Sequence, residues 1–460
     1  MKKLGIWLAC ISFGLQPISA NAIDLMQAYD AALRNDPEFR MALKENEAGQ
    51  ANRRIGRAAL LPQASASFYQ APTNSQITGP AFLNGPGITT NRSYIADNAG
   101  AQIRQPLFDL EALAKYRYGN AQADLSDARF VYRSQDLLVR VLQAYVDLLF
   151  AQDQLGFVGA ERDAKLEQLK ANERMFKLGE GTKTDTLETL ASYEMSEAQV
   201  IEVQNSLEVA KRKLESITGT PITSMKEVKK LNAQFILQPL IPNVYDMWKD
   251  TAMASSPEIR ASSHNIEVAR QEYQRAISGH SPTLAGVASW NQQKGFTVST
   301  INQSTNTTAI GLQLMIPIFS GGEVSARSSQ SRANLEKAQA EYDATLNRVT
   351  LELQKQYDAV VSSNKKIMAL NRAVESATEL TKAMRKSVQG GQRINLDVLI
   401  ADKGLATAQR DLARSKYEYL IATLKLKQQA GVLTIEDLEK VAINFGAKSI
   451  EQYKLDSAIK

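Results

Sequence analysis

The residues of this sequence that could do chemistry are few and lie far apart. The two histidines, His264 and His280, are 16 residues apart and have no second candidate ligand near them, so we do not expect a metal site. Cys10 is the only cysteine, which excludes a disulfide within the chain. The sequence has no phosphate-binding glycine-rich loop ending in Gly-Lys-Ser or Gly-Lys-Thr. It therefore predicts no catalytic site, no cofactor and no enzyme.

Charged side chains do gather at two glycine-containing breaks in otherwise helical sequence. The first break is at 179–182 (GEGT) and is followed by Lys183-Thr184-Asp185, and the second is at Gly390-Gly391 and is followed by 393–397 (RINLD). In a bundle of helix pairs, both breaks would lie together at one end, so their side chains are the candidate functional residues. The ordinary alternative is that each aspartate merely favours the start of a helix by interacting with its dipole.

An internal duplication organises the chain that carries these breaks. Asp36-Pro37-Glu38 returns as Ser256-Pro257-Glu258 about 220 residues later, and the two breaks are about 212 residues apart. We predict a signal peptide (1–22), a first repeat (23–230), a linker (231–245), a second repeat (246–438) and a C-terminal tail (439–460).

Each repeat has the same predicted order of elements: a helix, two strands and a long, broken helical hairpin. The first pair of strands is expected at 63–70 and 94–108, and the second at 283–291 and 308–319, because apolar and polar residues alternate there. The helix expected from 111 to 178 would be about 100 Å long at 1.5 Å per residue. Helices of this length suit a coiled-coil wall.

The N-terminus has the composition of a secretory signal. Lys2 and Lys3 precede an apolar stretch, and Ala20-Asn21-Ala22 is a suitable cleavage site. After this leader, no run of 18 or more residues is predominantly apolar, so we expect no transmembrane helix. The formal net charge of +5 gives no electrostatic reason to expect nucleic acid as a partner.

Strands with one apolar face suit a membrane β-barrel, and an ordinary half-buried sheet is the alternative. Four strands cannot close on themselves, since the smallest membrane barrels have eight. Two chains would give eight strands and a barrel largely filled by side chains, whereas three chains would give twelve strands and leave a conduit. The pattern therefore predicts a barrel shared by three chains.

Several short motifs occur in an order that resembles the TolC family of outer-membrane channels. They are 24–29 (DLMQAY), 105–109 (QPLFD), the two glycine breaks, and 431–438 (GVLTIEDL). The resemblance covers 24–438. It implies an α+β membrane protein in the outer membrane of a Gram-negative bacterium: a homotrimer with a twelve-stranded transmembrane β-barrel in lipid and a long α-helical coiled-coil barrel in the periplasm.

The resemblance also implies partners and a function. Members of the family dock onto an inner-membrane transporter through a periplasmic adaptor. The segments 55–62 and 176–182 are most similar to the branch that serves type I secretion of proteases, with an ABC transporter as the pump. Drug or metal efflux is the alternative within the family. Outside it, the alternatives are a periplasmic coiled-coil adaptor and a secreted enzyme with helical arms.

By the same resemblance, the two breaks form the periplasmic entrance of the tunnel. The implied roles are an acidic pore ring for Asp397, an entrance latch for Thr184, Asp185 and Arg393, and adaptor-docking turns for Gly179 and Gly391. Two positions depart from the family pattern. Ile400 stands where a second ring aspartate is expected, and Val388 stands where a tyrosine helps to close the entrance, so we expect a thinner ring and a looser latch.

Overall fold

The computed structural model describes residues 24–79, 88–225, 228–232, 235, 237–295, 303–390 and 392–446. The predicted signal peptide (1–22) and the last part of the predicted tail lie outside these residues. So does Gly391, one of the two predicted docking turns.

The described strands form one antiparallel sheet in chain order, β1-β2-β3-β4. The strands are β1 (Gln63–Gly79), β2 (Ile88–Phe108), β3 (Thr283–Gly295) and β4 (Gln303–Met315). They are longer toward the hairpin ends than the apolar pattern predicts, because backbone pairing continues through polar, β-branched threonines. The predicted end of the fourth strand at Phe319 is wrong: β4 stops before Pro317, which has no N–H to donate to a ladder.

The register brings apolar side chains of all four strands onto one face of the sheet. One cross-strand row is Ala64, Ile103, Ala288 and Ile310, since each residue is the direct partner of the next. Rows on either side of it add side chains of the same kind: Phe68, Ala66, Ala101, Trp290, Leu312 and Leu314. Ile310 is 85% exposed in the single chain. One continuous apolar face is therefore left open to the surroundings.

The described residues also form nine helices. They are α1 (Leu25–Asn35), α2 (Pro37–Ala58), α3 (Leu110–Lys177), α4 (Lys183–Thr218), α5 (Tyr245–Ser255), α6 (Pro257–Ile277), α7 (Glu323–Gln389), α8 (Asn395–Gln429) and α9 (Ile435–Ile443). The long α3 starts where the Asp109 side chain accepts a hydrogen bond from the backbone of Ala112 at 2.9 Å. Within this described part of the chain, no helix is both long and apolar enough to cross a membrane.

The helices nearest the sheet form one layer in the same order as the strands. Helix α2 packs on α3, α3 on α6, and α6 on α7. Helix α2 leads into β1, β2 leads into α3, α6 leads toward β3, and α7 follows β4. The sheet and these four helices therefore form one continuous wall with two open edges.

Farther from the sheet, two hairpins extend the wall. Helix α3 packs on α4 and α7 packs on α8, while α3 and α8 join the two hairpins. The short helices α1, α5 and α9 pack on the middle of α3 and α7 and on the C-terminal ends of α4 and α8, and we call this region the belt. In it, the buried Tyr145 ring contacts Phe445 edge-on at 5.4 Å between ring centroids, and its hydroxyl donates to the carbonyl of Lys229 at 2.8 Å. The predicted boundary at residue 438 lies inside α9, which packs in this belt.

Candidate functional site

The first break ends α3 and starts α4 within a few residues. Gly179 has a φ of 78°, a conformation that side chains rarely allow. The N–H of Glu180 donates to the carbonyl of Met175 at 2.9 Å, which closes the turn. A Cβ placed on Gly179 would meet no atom within 4 Å. Backbone conformation, and not crowding within the chain, therefore requires glycine here.

The carboxylate of Asp185 takes part in a capping box at the start of α4. The N–H of Asp185 donates to Thr182 Oγ1 at 3.1 Å. In return, the Thr182 hydroxyl donates to Asp185 Oδ2 at 2.7 Å and the Thr182 N–H donates to the same oxygen at 3.3 Å. Asp185 is thus held locally. Thr184, the neighbouring latch candidate, is exposed.

The second break brings two of the predicted residues together. Helix α7 ends at Gln389 and α8 begins at Asn395. Arg393 Nη1 lies 3.6 Å from Asp397 Oδ2, with the two side chains 56% and 27% exposed. The structure therefore places Arg393, which lies in the break just before α8, beside Asp397 in the first turn of α8, and not beside Asp185.

Ion pairs between the breaks and the belt join the four hairpin helices. Arg385 of α7 lies 2.9 Å from Asp402 of α8. Two further pairs are Lys403 with Glu161, between α8 and α3 at 2.6 Å, and Arg162 with Glu197, between α3 and α4 at 2.8 Å. No spacing in the sequence marks these pairs, because they depend on the register of one helix against another.

One partly buried hydrogen bond joins α3 and α8 closer to the belt. The Tyr417 hydroxyl of α8 donates to Asp153 Oδ2 of α3 at 3.1 Å, and the Tyr417 ring meets Phe150 edge-on. Burial raises the pKa of the Asp153 carboxyl, while the hydrogen bond from Tyr417 and the charge of Lys230 oppose the rise. The contact between α3 and α8 therefore contains a carboxyl whose charge is costly to bury.

The positions that depart from the family pattern also lie at this end. Val388 occupies the last turn of α7, and Ile400 lies in the second turn of α8 with its side chain 62% exposed. Ile400 places an apolar group one turn beyond Asp397. Across the described part of the chain, no three His, Cys, Asp or Glu side chains are grouped as metal ligands would be.

A wall with two open edges, extended by two long helical hairpins and carrying an apolar sheet face, has the geometry of part of a channel. Comparison with known proteins shows to which family of proteins the chain belongs. The profile of the family described as "Outer membrane efflux protein" matches residues 28–220 and 248–432. The chain belongs to this family. It is an outer-membrane protein of a family whose members are channels.

Individual relatives agree with this assignment. The alkaline protease secretion protein AprF of Pseudomonas aeruginosa is 39% identical over 445 residues, which cover 97% of this chain and 92% of the relative. The proteases secretion protein PrtF of Dickeya chrysanthemi is 36% identical, covering 97% and 96%. The Campylobacter jejuni CmeC outer membrane channel has the same fold, with a TM-score of 0.74 at 17% identity, covering 92% of this chain and 89% of that one. The predicted family, fold and location are confirmed.

Proposed function

We propose that this chain is the outer-membrane channel of a type I secretion system that exports proteases or related polypeptides. The observation that carries the proposal is the similarity over nearly the whole length to AprF and PrtF, both named for protease secretion. An inner-membrane ABC transporter supplies the energy, and a periplasmic adaptor connects it to the channel. The described wall is consistent with a passive duct, since α3, with 68 residues, begins directly after β2, and α7, with 67 residues, begins at Glu323 after β4 has ended at Met315.

The open edges of the sheet support a homotrimer. Among the described residues of the single chain, β1 and β4 each lack a strand partner on one side. Unpaired backbone groups in lipid cost several kcal/mol each, so both edges need a strand from another copy. Three copies close a twelve-stranded barrel with the apolar face toward lipid and the polar face toward the lumen.

In this trimer, the two breaks form the periplasmic entrance. Asp397 supplies the acidic ring. Arg393, whose Nη1 lies 3.6 Å from Asp397 Oδ2, partly neutralises that negative charge toward passing ions. Thr184 and Asp185 belong to the entrance latch. Both lie in the first turn of α4, whose position the capping box between Thr182 and Asp185 stabilises. The adaptor docks on the turns at Gly179 and Gly391. Because a Cβ on Gly179 would meet no atom within 4 Å, the adaptor has room to contact the backbone of Gly179.

Secretion and efflux are separated by deleting the gene in its own host and restoring it on a plasmid. We expect the deletion to abolish extracellular protease on casein plates and to leave the inhibitory concentrations of drugs and metals unchanged. Restoring the wild-type gene should return secretion. If secretion is unaffected while sensitivity to drugs or metals rises, the channel serves efflux and the proposal is wrong.

A further inference from the structure

The polar face of the sheet contains an arginine at the end next to the helices. Arg104 pairs with Gln63 of β1 and Val287 of β3, one residue away from the apolar row that contains Ile103. Because side chains alternate along a strand, Arg104 points away from the apolar face. Its side chain is exposed.

Charge is distributed unequally between the two faces of the sheet. The described strands contain four charged residues: Arg92, Asp97, Arg104 and Lys294. Asp97 and Lys294 are direct cross-strand partners on the apolar face, at the far end of its band from the helices. Arg92 and Arg104 both lie on the polar face, which has no carboxylate among the described strands. In the sequence, 80–87 and 296–302 contain no charged residue either.

The residues around Arg104 do not neutralise it. On the same face its strand neighbour is Gln102, and Gln63 lies opposite. The next acidic residue along the chain, Asp109, accepts the hydrogen bond from Ala112 that starts α3. Among the described residues, no carboxylate pairs with Arg104 within ion-pair distance.

We propose that the three copies of Arg104 form a basic collar in the barrel lumen that binds carboxylate-rich segments of the passing polypeptide. The proposal depends on the trimeric channel proposed above. Low-dielectric walls focus the field of a charge ring into the lumen, so the collar concentrates anions where the tunnel meets the barrel. Arginine also holds carboxylates through paired N–H donors, which gives the collar a preference for carboxylates over chloride.

The test is block of single-channel current in planar bilayers by poly-L-glutamate. We expect Arg104→Gln to weaken block about tenfold, since each of three exposed contacts contributes modestly. Arg104→Lys should retain most of the block. Gln102→Glu should weaken it as Arg104→Gln does, because it adds a carboxylate beside an intact collar. Lys294→Gln, which removes a positive charge from the other face of the same sheet, should leave block unchanged.

Two results would overturn the collar. One is equal block of the wild type and of both Arg104→Gln and Gln102→Glu. The other is equal weakening by Lys294→Gln, which would mean that overall charge acts and not the lumen face. If Arg104→Gln fails to form channels, Gln102→Glu and Arg104→Lys decide the matter. These measurements need only the pore, so they remain informative if the protease-secretion assay above fails.

Discussion

Arg393 and Asp397 should control the ion selectivity of the channel in opposite directions. Their atoms lie 3.6 Å apart, so each chain presents a nearly neutral pair at the entrance. Arg393→Gln leaves one unmatched carboxylate per chain, and Asp397→Asn leaves one unmatched guanidinium. We expect the first variant to raise the preference for cations and the second to lower it. The double variant should return close to the wild type.

The expected size follows from Coulomb's law. At 3.6 Å, two unit charges in water attract by about 1 kcal/mol, and exposed pairs realise 0 to about 1 kcal/mol of this. The interaction energy of one unmatched charge with an ion about 10 Å away in water is about 0.4 kcal/mol. The three unmatched charges of a trimer therefore give about 1.2 kcal/mol before screening by salt. At 0.1 M salt, screening leaves about 0.4 kcal/mol, which is about a twofold change in local cation concentration.

Reversal potentials measured across a KCl gradient test this prediction. The ratio of cation to anion permeability should change about fourfold in each single variant at 0.1 M salt, because the same potential that changes the cation concentration about twofold changes the anion concentration about twofold in the opposite direction. The changes should nearly disappear at about 1 M, where the Debye length is about 3 Å. The reasoning is refuted if both single variants shift the ratio in the same direction. It is also refuted if the double variant differs from the wild type as much as either single one.

Three further predictions concern the wall. Tyr417→Phe removes the hydroxyl that donates to the ionised Asp153, so it should weaken the contact between α3 and α8 by about 1–3 kcal/mol, measured as faster hydrogen exchange in α8. Because the pKa of Asp153 is raised, its contribution to stability is complete below about pH 4 and is lost as the pH rises through the raised value. The Tyr417→Phe penalty should accordingly be larger at neutral than at acidic pH, and a pH-independent penalty would contradict it. Gly119→Ala should lower trimer stability by about 1–3 kcal/mol, whereas Gly156→Ala in the same helix, which meets no atom within 4 Å, should not; equal melting temperatures would contradict this. Ile310→Lys should destabilise the membrane-inserted trimer by about 2–4 kcal/mol, because it places a charge on the lipid-facing side of the sheet. An unchanged trimer yield would mean that the Ile310 side chain does not face lipid.

The elements of the wall are predictable because local patterns dictate them. Ile310, Leu312 and Leu314 alternate with small or polar residues, which is typical of a strand with one apolar face. Prolines at 62 and 282 directly precede β1 and β3, since proline does not continue a helix. The same order of elements returns about 220 residues later, so the pattern in one repeat supports the prediction for the other. The antiparallel pairing of β1 with β2 and of β3 with β4 then follows from short hairpin connections, whereas β2 pairs with β3 across the long helical segment between them.

Partners of the charged side chains are not predictable in the same way. The family resemblance implies that Asp185 and Arg393 belong to one entrance latch, yet a local capping interaction with Thr182 holds the Asp185 carboxylate. Thr182 and Asp185 have the spacing of a capping box, so that interaction could have been predicted. Pairs such as Lys403 with Glu161 could not, because a change in the register of α8 against α3 would separate them.

The junction between sheet and helices raises a geometric problem that two glycines address. Strands lie about 4.8 Å apart, whereas packed helices lie about 8–10 Å apart, so four helices are wider than the four strands they continue. Near the sheet, a Cβ on Gly119 of α3 would collide with the carbonyl of Asn52 in α2, and one on Gly56 would lie 2.8 Å from the carbonyl oxygen of Lys115. Helices α2 and α3 therefore approach closely through their backbones just where β1 and β2 begin and end. Close approach narrows the helical wall toward the spacing of the strands, and it lets one continuous wall pass from helices to strands without an opening at the membrane surface.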